Sequence, residues 1–178
     1  MLTRRKLGIS AIAMIVAGCS RAGARTGSTS TTFEETKVSD STTAASDIDW
    51  ANMSAAEWKD RLTAEEFYVL RQEGTEHPWT SPLNDEKREG TYVCKGCDLP
   101  LFKSDMKYDS RTGWPSFFDV IEGSIGTTVD NKLFLPRTEY HCIRCGGHQG
   151  HVFKDGPNPT GLRYCNNGVA IKFIPKAV

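Results

Sequence analysis

The stretch Thr138-Glu139-Tyr140-His141-Cys142-Ile143-Arg144-Cys145-Gly146-Gly147-His148-Gln149-Gly150-His151-Val152-Phe153-Lys154 sets two short β-prone runs, 138–142 and 151–154, on either side of a Cys-x-x-Cys pair and a glycine-rich segment. The same organisation extends outward. From Pro82 on, further β-prone runs at 91–94, 116–121, 132–135, 162–165 and 169–174 alternate with Gly, Pro, Asp and Asn. No stretch after Pro82 keeps a helical period. The expected fold is mainly β and antiparallel, a single domain over residues 50–178 with enough chain for one modest core. Two short helices should precede it. Ser54-Ala55-Ala56-Glu57 and Thr63-Ala64-Glu65-Glu66 are capping boxes, which predict helices over 55–61 and 64–73 with Gly74 as the stop. Trp58, Leu62, Phe67 and Leu70 should face the core.

A second Cys-x-x-Cys pair stands at Cys94 and Cys97. Each pair puts two sulfurs on one tight turn, with glycines at 96, 146 and 147 to suit the turns. Two such turns brought together make a tetrahedral thiolate site suited to structural zinc on Cys94, Cys97, Cys142 and Cys145. The alternatives are a disulfide within each pair or a thioredoxin-like redox motif. Neither pair is followed by His, which argues against haem attachment.

Cys165 belongs to no pair. It stands in Gly161-Leu162-Arg163-Tyr164-Cys165-Asn166-Asn167, and in an extended strand Arg163, Cys165 and Asn167 would share a face. A cation beside a thiol favours the thiolate, so Cys165 is the candidate nucleophile. The bland alternative is a buried structural cysteine, which the neighbouring Arg and two Asn oppose. Two more clusters carry chemistry-bearing residues. His148, His151 and Asp155 lie in a glycine-rich stretch that could equally be a surface loop. Trp114, between Gly113 and Pro115, could line a pocket or pack in the core.

The chain has 178 residues, with 22 basic and 22 acidic side chains. The first 18 residues hold three of the basic ones and no acid, so the remainder is mildly acidic, which argues against a nucleic-acid partner. Arg4-Arg5 followed by an apolar run at 9–17 fits an export signal over 1–18, too short for a mature membrane span. Val16-Ala17-Gly18-Cys19 resembles a bacterial lipobox, and the twin arginine resembles a Tat signal. The expectation is an exported protein of the cell envelope, lipid-anchored to a membrane at Cys19 on its periplasmic or extracytoplasmic face. Residues 19–49 then form the anchor and a Ser/Thr-rich flexible tether.

Taken together, several segments resemble the methionine-R-sulfoxide reductase family, the B type. They are Gly74-Thr75-Glu76, both Cys-x-x-Cys pairs, Gly113-Trp114-Pro115-Ser116-Phe117, His148-Gln149-Gly150-His151-Val152-Phe153 and Arg163-Tyr164-Cys165-Asn166-Asn167. They occur in the family's order across nearly the whole folded part. The resemblance implies two antiparallel sheets with short N-terminal helices, zinc on the four paired cysteines, and Cys165 as the catalytic residue. It implies that His148, His151, Asp155, Arg163 and Asn167 organise the site and help protonate the sulfoxide oxygen, and that Trp114 receives the substrate methyl group. The substrate would be methionine-R-sulfoxide in proteins or peptides, and the Cys165 sulfenic acid left behind must be reduced by a thiol.

One departure stands out. Many relatives carry a resolving cysteine just before the Gly-Trp-Pro-Ser-Phe motif, where this chain has Thr112. With four cysteines on zinc and Cys19 lipidated, no intramolecular disulfide is expected. An external reductant, thioredoxin-like or glutathione-like, should act on Cys165 directly, and a monomer is expected. Two rival classes are a membrane-tethered zinc-binding module, which leaves Cys165, His148 and Trp114 without a role, and a thiol–disulfide oxidoreductase working through the Cys-x-x-Cys pairs.

Overall fold

The computed structural model describes residues 48–133 and 135–177. The expected signal, Cys19 and nearly all of the tether lie outside them. Among the described residues no helix is long and apolar enough to cross a membrane.

The capping boxes act as the sequence predicts. Ser54 Oγ accepts the Glu57 N–H and the Glu57 carboxylate accepts the Ser54 N–H at 2.8 Å, opening helix α1 (Ala55–Arg61). Thr63 and Glu66 do the same for α2 (Ala64–Gln72). This satisfies amide groups that a helix start otherwise leaves bare. The second helix stops one residue before the expected end, because Glu73 takes the left-handed conformation at φ 54°. Trp58, Leu62 and Leu70 are buried, joined by Val69, while Phe67 is half-buried against the core.

Among the described residues nine strands follow: β1 (Gly90–Cys94), β2 (Pro100–Lys103), β3 (Lys107–Tyr108), β4 (Ser116–Phe117), β5 (Ile125–Asp130), β6 (Arg137–Cys142), β7 (His148–Phe153), β8 (Arg163–Asn166) and β9 (Ile171–Pro175). They form two antiparallel sheets, one of three strands in the order β2-β1-β9 and one of six in the order β3-β4-β8-β7-β6-β5. The expected mainly β fold with two antiparallel sheets and two short helices is thus the observed one. Aromatic rings join the sheets. Phe102 of the small sheet stacks on Phe117 of the large one at 4.0 Å between centroids, and Tyr140 meets Phe102 edge-on at 6.3 Å. All three are fully buried. Such ring pairs contribute about 0.5–1.5 kcal/mol each beyond their burial.

Three strand expectations move. The run 116–121 is a strand only over Ser116–Phe117, because Ile121 turns away to donate its N–H to the Leu101 carbonyl at 2.8 Å. In the expected run 132–135, the described residues 132, 133 and 135 are not in a strand; the Asp130 carboxylate accepts the Lys132 N–H at 2.9 Å and bends the chain there, while β5 occupies Ile125–Asp130 instead. The run 169–174 begins as a 3-10 turn, Gly168–Ala170, before β9.

Candidate active site

Strand pairing builds the site. Cys165 on β8 stands opposite Ser116 of β4 on one side and His151 of β7 on the other. His151 in turn stands opposite Glu139 of β6, and Glu139 opposite Thr128 of β5. Directly opposed residues share a face, so one row of polar side chains, Ser116–Cys165–His151–Glu139–Thr128, crosses the large sheet. The residues next to them, Phe117, Tyr164 and Tyr140, belong to the apolar core with its aromatic contacts. The period of two in a strand thus separates chemistry from packing.

His148 lies three positions before His151, an odd spacing that should put the two rings on opposite faces. The register shifts between Tyr140 and His141, so that His148 pairs with His141. This bulge brings His148 onto the polar face, its ring 5.5 Å from that of His151. The tight packing of β7 on β8 requires Gly150. A Cβ there would lie 1.9 Å from the Cys165 carbonyl oxygen.

The histidines are held by carboxylates from other strands. Glu139 takes His148 Nδ1 at 2.8 Å, His141 Nδ1 at 3.0 Å and the Thr128 hydroxyl at 2.7 Å. Burial works against its charge, yet these bonds outweigh burial and hold Glu139 down to about 2. His148 is 2% exposed, and its Nε2 has no hydrogen-bond partner among the described residues. His151 Nε2 lies 2.8 Å from Asp130 Oδ2, which also accepts from Arg137 at 2.6 Å. The Lys132 amide, His151 and Arg137 keep Asp130 ionised. An ionised carboxylate fixes the His151 proton on Nε2 and leaves Nδ1 as an acceptor. Burial lowers the His151 pKa, so the ring is neutral near pH 7.

Cys165 is half-buried. Burial pushes its thiol above the ordinary value, while Arg163 and the hydroxyls of Thr112 and Ser116 pull the other way without overcoming it. The resting group is therefore a thiol, not the thiolate that the neighbouring arginine alone would predict. Thr112 joins a hydroxyl cluster with Ser110, 2.8 Å away, and Ser110 reaches Ser116 at 2.7 Å. Arg163 is clamped by Asp155 through two bonds of 2.8 and 2.9 Å and lies over the Phe153 ring at 4.2 Å. Asp155 acts on Arg163 rather than on a histidine.

A small cavity of about 120 Å³ opens over Cys165, lined also by Thr75, Trp114, Arg137, His151 and Asn167. Asn167 lies past the end of β8. Its Oδ1 accepts the Glu76 N–H at 3.1 Å and its Nδ2 donates to the Gln149 carbonyl at 3.0 Å. The Trp114 indole N–H donates to the Glu76 carbonyl at 3.2 Å. The buried Glu76 carboxylate caps the 3-10 turn through the amides of Gly168 and Val169. Burial nevertheless raises its pKa. Sequence reading named Cys165, His148, His151, Asp155, Arg163, Asn167 and Trp114, and it missed Glu76, Asp130 and Glu139 as supports. Glu76 lay in a motif already singled out; Asp130 and Glu139 carried no local signal.

The cysteine cluster sits where the two sheets meet. Cys94 ends β1 and Cys142 ends β6, and each leads into a turn closed by a backbone hydrogen bond of 2.9 Å, from the Asp98 N–H to the Cys94 carbonyl and from the Gly146 N–H to the Cys142 carbonyl. The four buried sulfurs lie within 4.8 Å of one another, with Cys94–Cys145 at 3.6 Å and Cys97–Cys142 at 3.5 Å. A tetrahedral metal–thiolate site with bonds of about 2.3 Å spaces its sulfurs by ~3.8 Å, and a disulfide needs about 2 Å. The cluster fits a structural metal site and leaves Cys165 as the cysteine outside it among the described residues. Gln149 joins the two centres. Its side chain donates to Cys94 Sγ at 3.5 Å and its carbonyl holds Asn167.

The family model of the SelR domain matches residues 62–175. A relative from Agrobacterium fabrum (strain C58), peptide methionine sulfoxide reductase MsrB, is 48% identical over 125 residues, 70% of this chain and 93% of that protein. The protein of the same name from Pseudomonas putida (strain W619) is 52% identical over 121 residues, 67% of this chain and 91% of its own. That from Methanosarcina mazei is 50% identical over 121 residues, 67% and 86%. With the sheet-borne Cys165 site and the four-cysteine cluster, this chain belongs to the SelR domain family of peptide methionine sulfoxide reductases.

Proposed function

We propose that this protein reduces the R epimer of methionine sulfoxide in polypeptides, with Cys165 as nucleophile and an external thiol as reductant. The observation that carries the reading is the cross-strand pair Cys165–His151 under a cavity walled by Trp114. Cys165 Sγ attacks the sulfoxide sulfur while the sulfur–oxygen bond breaks. His151 Nδ1 takes the thiol proton and passes it to the departing oxygen, and a group held neutral near pH 7 suits both halves of that transfer. The departing oxygen, now hydroxide, attacks Cys165 Sγ, the sulfur–sulfur bond of the sulfonium breaks, and methionine leaves with its electron pair, so that oxygen and proton end on Cys165 as a sulfenic acid. Two external thiols then return the thiol, releasing water and a disulfide. Arg163, fixed by Asp155, favours the developing thiolate, and Asn167 with Glu76 holds the cavity wall. Trp114 offers an apolar face to the methyl group, which selects one epimer.

Thr112, a hydroxyl beside Cys165, supports direct reduction from outside. Zinc is the proposed occupant of the cysteine cluster, where it would tie the ends of β1 and β6 together. The proposed setting is the cell envelope, supported by the export-type start and Cys19. The test is turnover of a peptide carrying each epimer by residues 20–178 with dithiothreitol, beside Cys165→Ser. The expected result is reduction of the R epimer alone, abolished in the variant. A folded, metal-loaded protein that reduces neither epimer would favour the tethered zinc-binding module.

A further inference from the structure

Trp114 borders two cavities. One lies over Cys165; the other, of about 190 Å³, is lined by Trp79, Tyr108 and Pro115 as well, together with Lys107 and Asp109. No step of the proposed reaction uses Trp79. Its ring is 66% exposed, and its backbone stands at φ 66°, a left-handed conformation uncommon outside glycine. The chain holds it there. Its N–H donates at 2.8 Å to the carbonyl of Gly113, the residue before Trp114, and Asn84 Nδ2 reaches the same carbonyl at 3.1 Å. A large apolar ring kept in water on a strained, hydrogen-bonded turn is poised for contact with something else.

We propose that the cavity between Trp79 and Trp114 is a subsite for a second side chain of the polypeptide substrate, two residues from the oxidised methionine. This rests on the sulfoxide-reduction reading of the Cys165 cavity. The occupant is apolar, best aromatic. Of the four charged lining residues, Lys107 Nζ donates to the Asn84 carbonyl at 2.9 Å and the Asp109 carboxylate accepts the Arg111 N–H at 2.9 Å, while Asp85 and Lys87 are of opposite sign and leave no net charge for a ligand to read. Rings are left to select. In an extended peptide, side chains two residues apart share a face about 7 Å apart. Groups that each touch a shared indole at roughly 3.5–4 Å stand about as far from one another.

The test compares kcat/KM for three R-sulfoxide substrates: N-acetyl-methionine sulfoxide methylamide, a peptide with Gly at both positions two residues from the sulfoxide, and the same peptide with Phe at both. Wild type is run beside Trp79→Ala and Trp79→Gly, the second of which suits the left-handed backbone and guards against misfolding. Wild type should prefer the Phe peptide by about fivefold, through KM, as expected for one aromatic pair. Both variants should lose that preference and keep wild-type activity on the methylamide. The subsite is overturned by a wild type without preference, or by variants that keep the preference. A wild type inactive on the methylamide itself would overturn the reduction reading and the subsite with it.

Discussion

Loss of one cysteine from the cluster should cost far more than a buried thiol's packing. In Cys97→Ser, or after stripping with a strong chelator, the cross-link between the two turns disappears. Cys97 and Cys142 are 45 residues apart in sequence, with sulfurs at 3.5 Å. Treated as a covalent clip over a loop of that length, the lost chain-entropy constraint is about 4 kcal/mol at 25 °C, before any contribution from the metal–sulfur bonds. Whole domains have only about 5–15 kcal/mol in hand. Melting followed by circular dichroism should therefore show Tm lower by about 15 °C or more, with metal content by atomic emission falling from one ion per chain to none. Activity should fall as well, since Gln149 links Cys94 to the loop that holds Asn167. A metal-free protein melting within about 3 °C of the loaded one would refute the reasoning.

Alkylation of Cys165 by iodoacetamide should accelerate with a midpoint above the ordinary thiol value of 9.0, since burial outweighs Arg163, and Arg163→Gln should raise that midpoint further; a midpoint below 9.0 contradicts the stated balance. Glu139→Gln should destabilise by up to about 3 kcal/mol at pH 7, from a carboxyl held at about 2 against 4.5. A depressed carboxyl contributes stability above its unfolded value and loses it as pH falls towards its folded one, so in urea unfolding the gap to wild type should shrink below pH 4.5. Gly150→Ala should force β7 and β8 apart, costing about 1–3 kcal/mol and most of the activity in a peptide-reduction assay, because the new Cβ meets the Cys165 backbone.

Local signals were legible in the sequence, and pairings across strands were not. Each capping box is written within four residues, so both helix starts could be read directly. The paired cysteines pointed to a metal site by spacing, with disulfides or a redox motif as alternatives, and the clustering of all four sulfurs favours the metal site. Strand β5 was not foreseen, and it carries Gly126, a residue that weakens a strand signal. In the structure Gly126 stands opposite His141, where a Cβ would lie 2.5 Å from the imidazole Nε2, so the glycine makes room for a ring on the neighbouring strand. Residues 132–135 misled in the opposite sense, since Leu133 and Leu135 look like core yet are exposed. The carboxylates that hold the histidines, Asp130 and Glu139, come from strands β5 and β6, far in sequence from His148 and His151, while the nearby Asp155 holds Arg163. The register bulge that turns His148 inward is a property of the pairing between β6 and β7, which neither strand shows alone.

The role of Cys165 as nucleophile is tested most directly by a single turnover with methionine-R-sulfoxide peptide and no reductant, followed by dimedone trapping and peptide mass spectrometry. One dimedone adduct is expected, on Cys165, with no disulfide from Cys165 to another cysteine. An unmodified Cys165 after methionine has formed, or a disulfide joining it to a cluster cysteine, would contradict it.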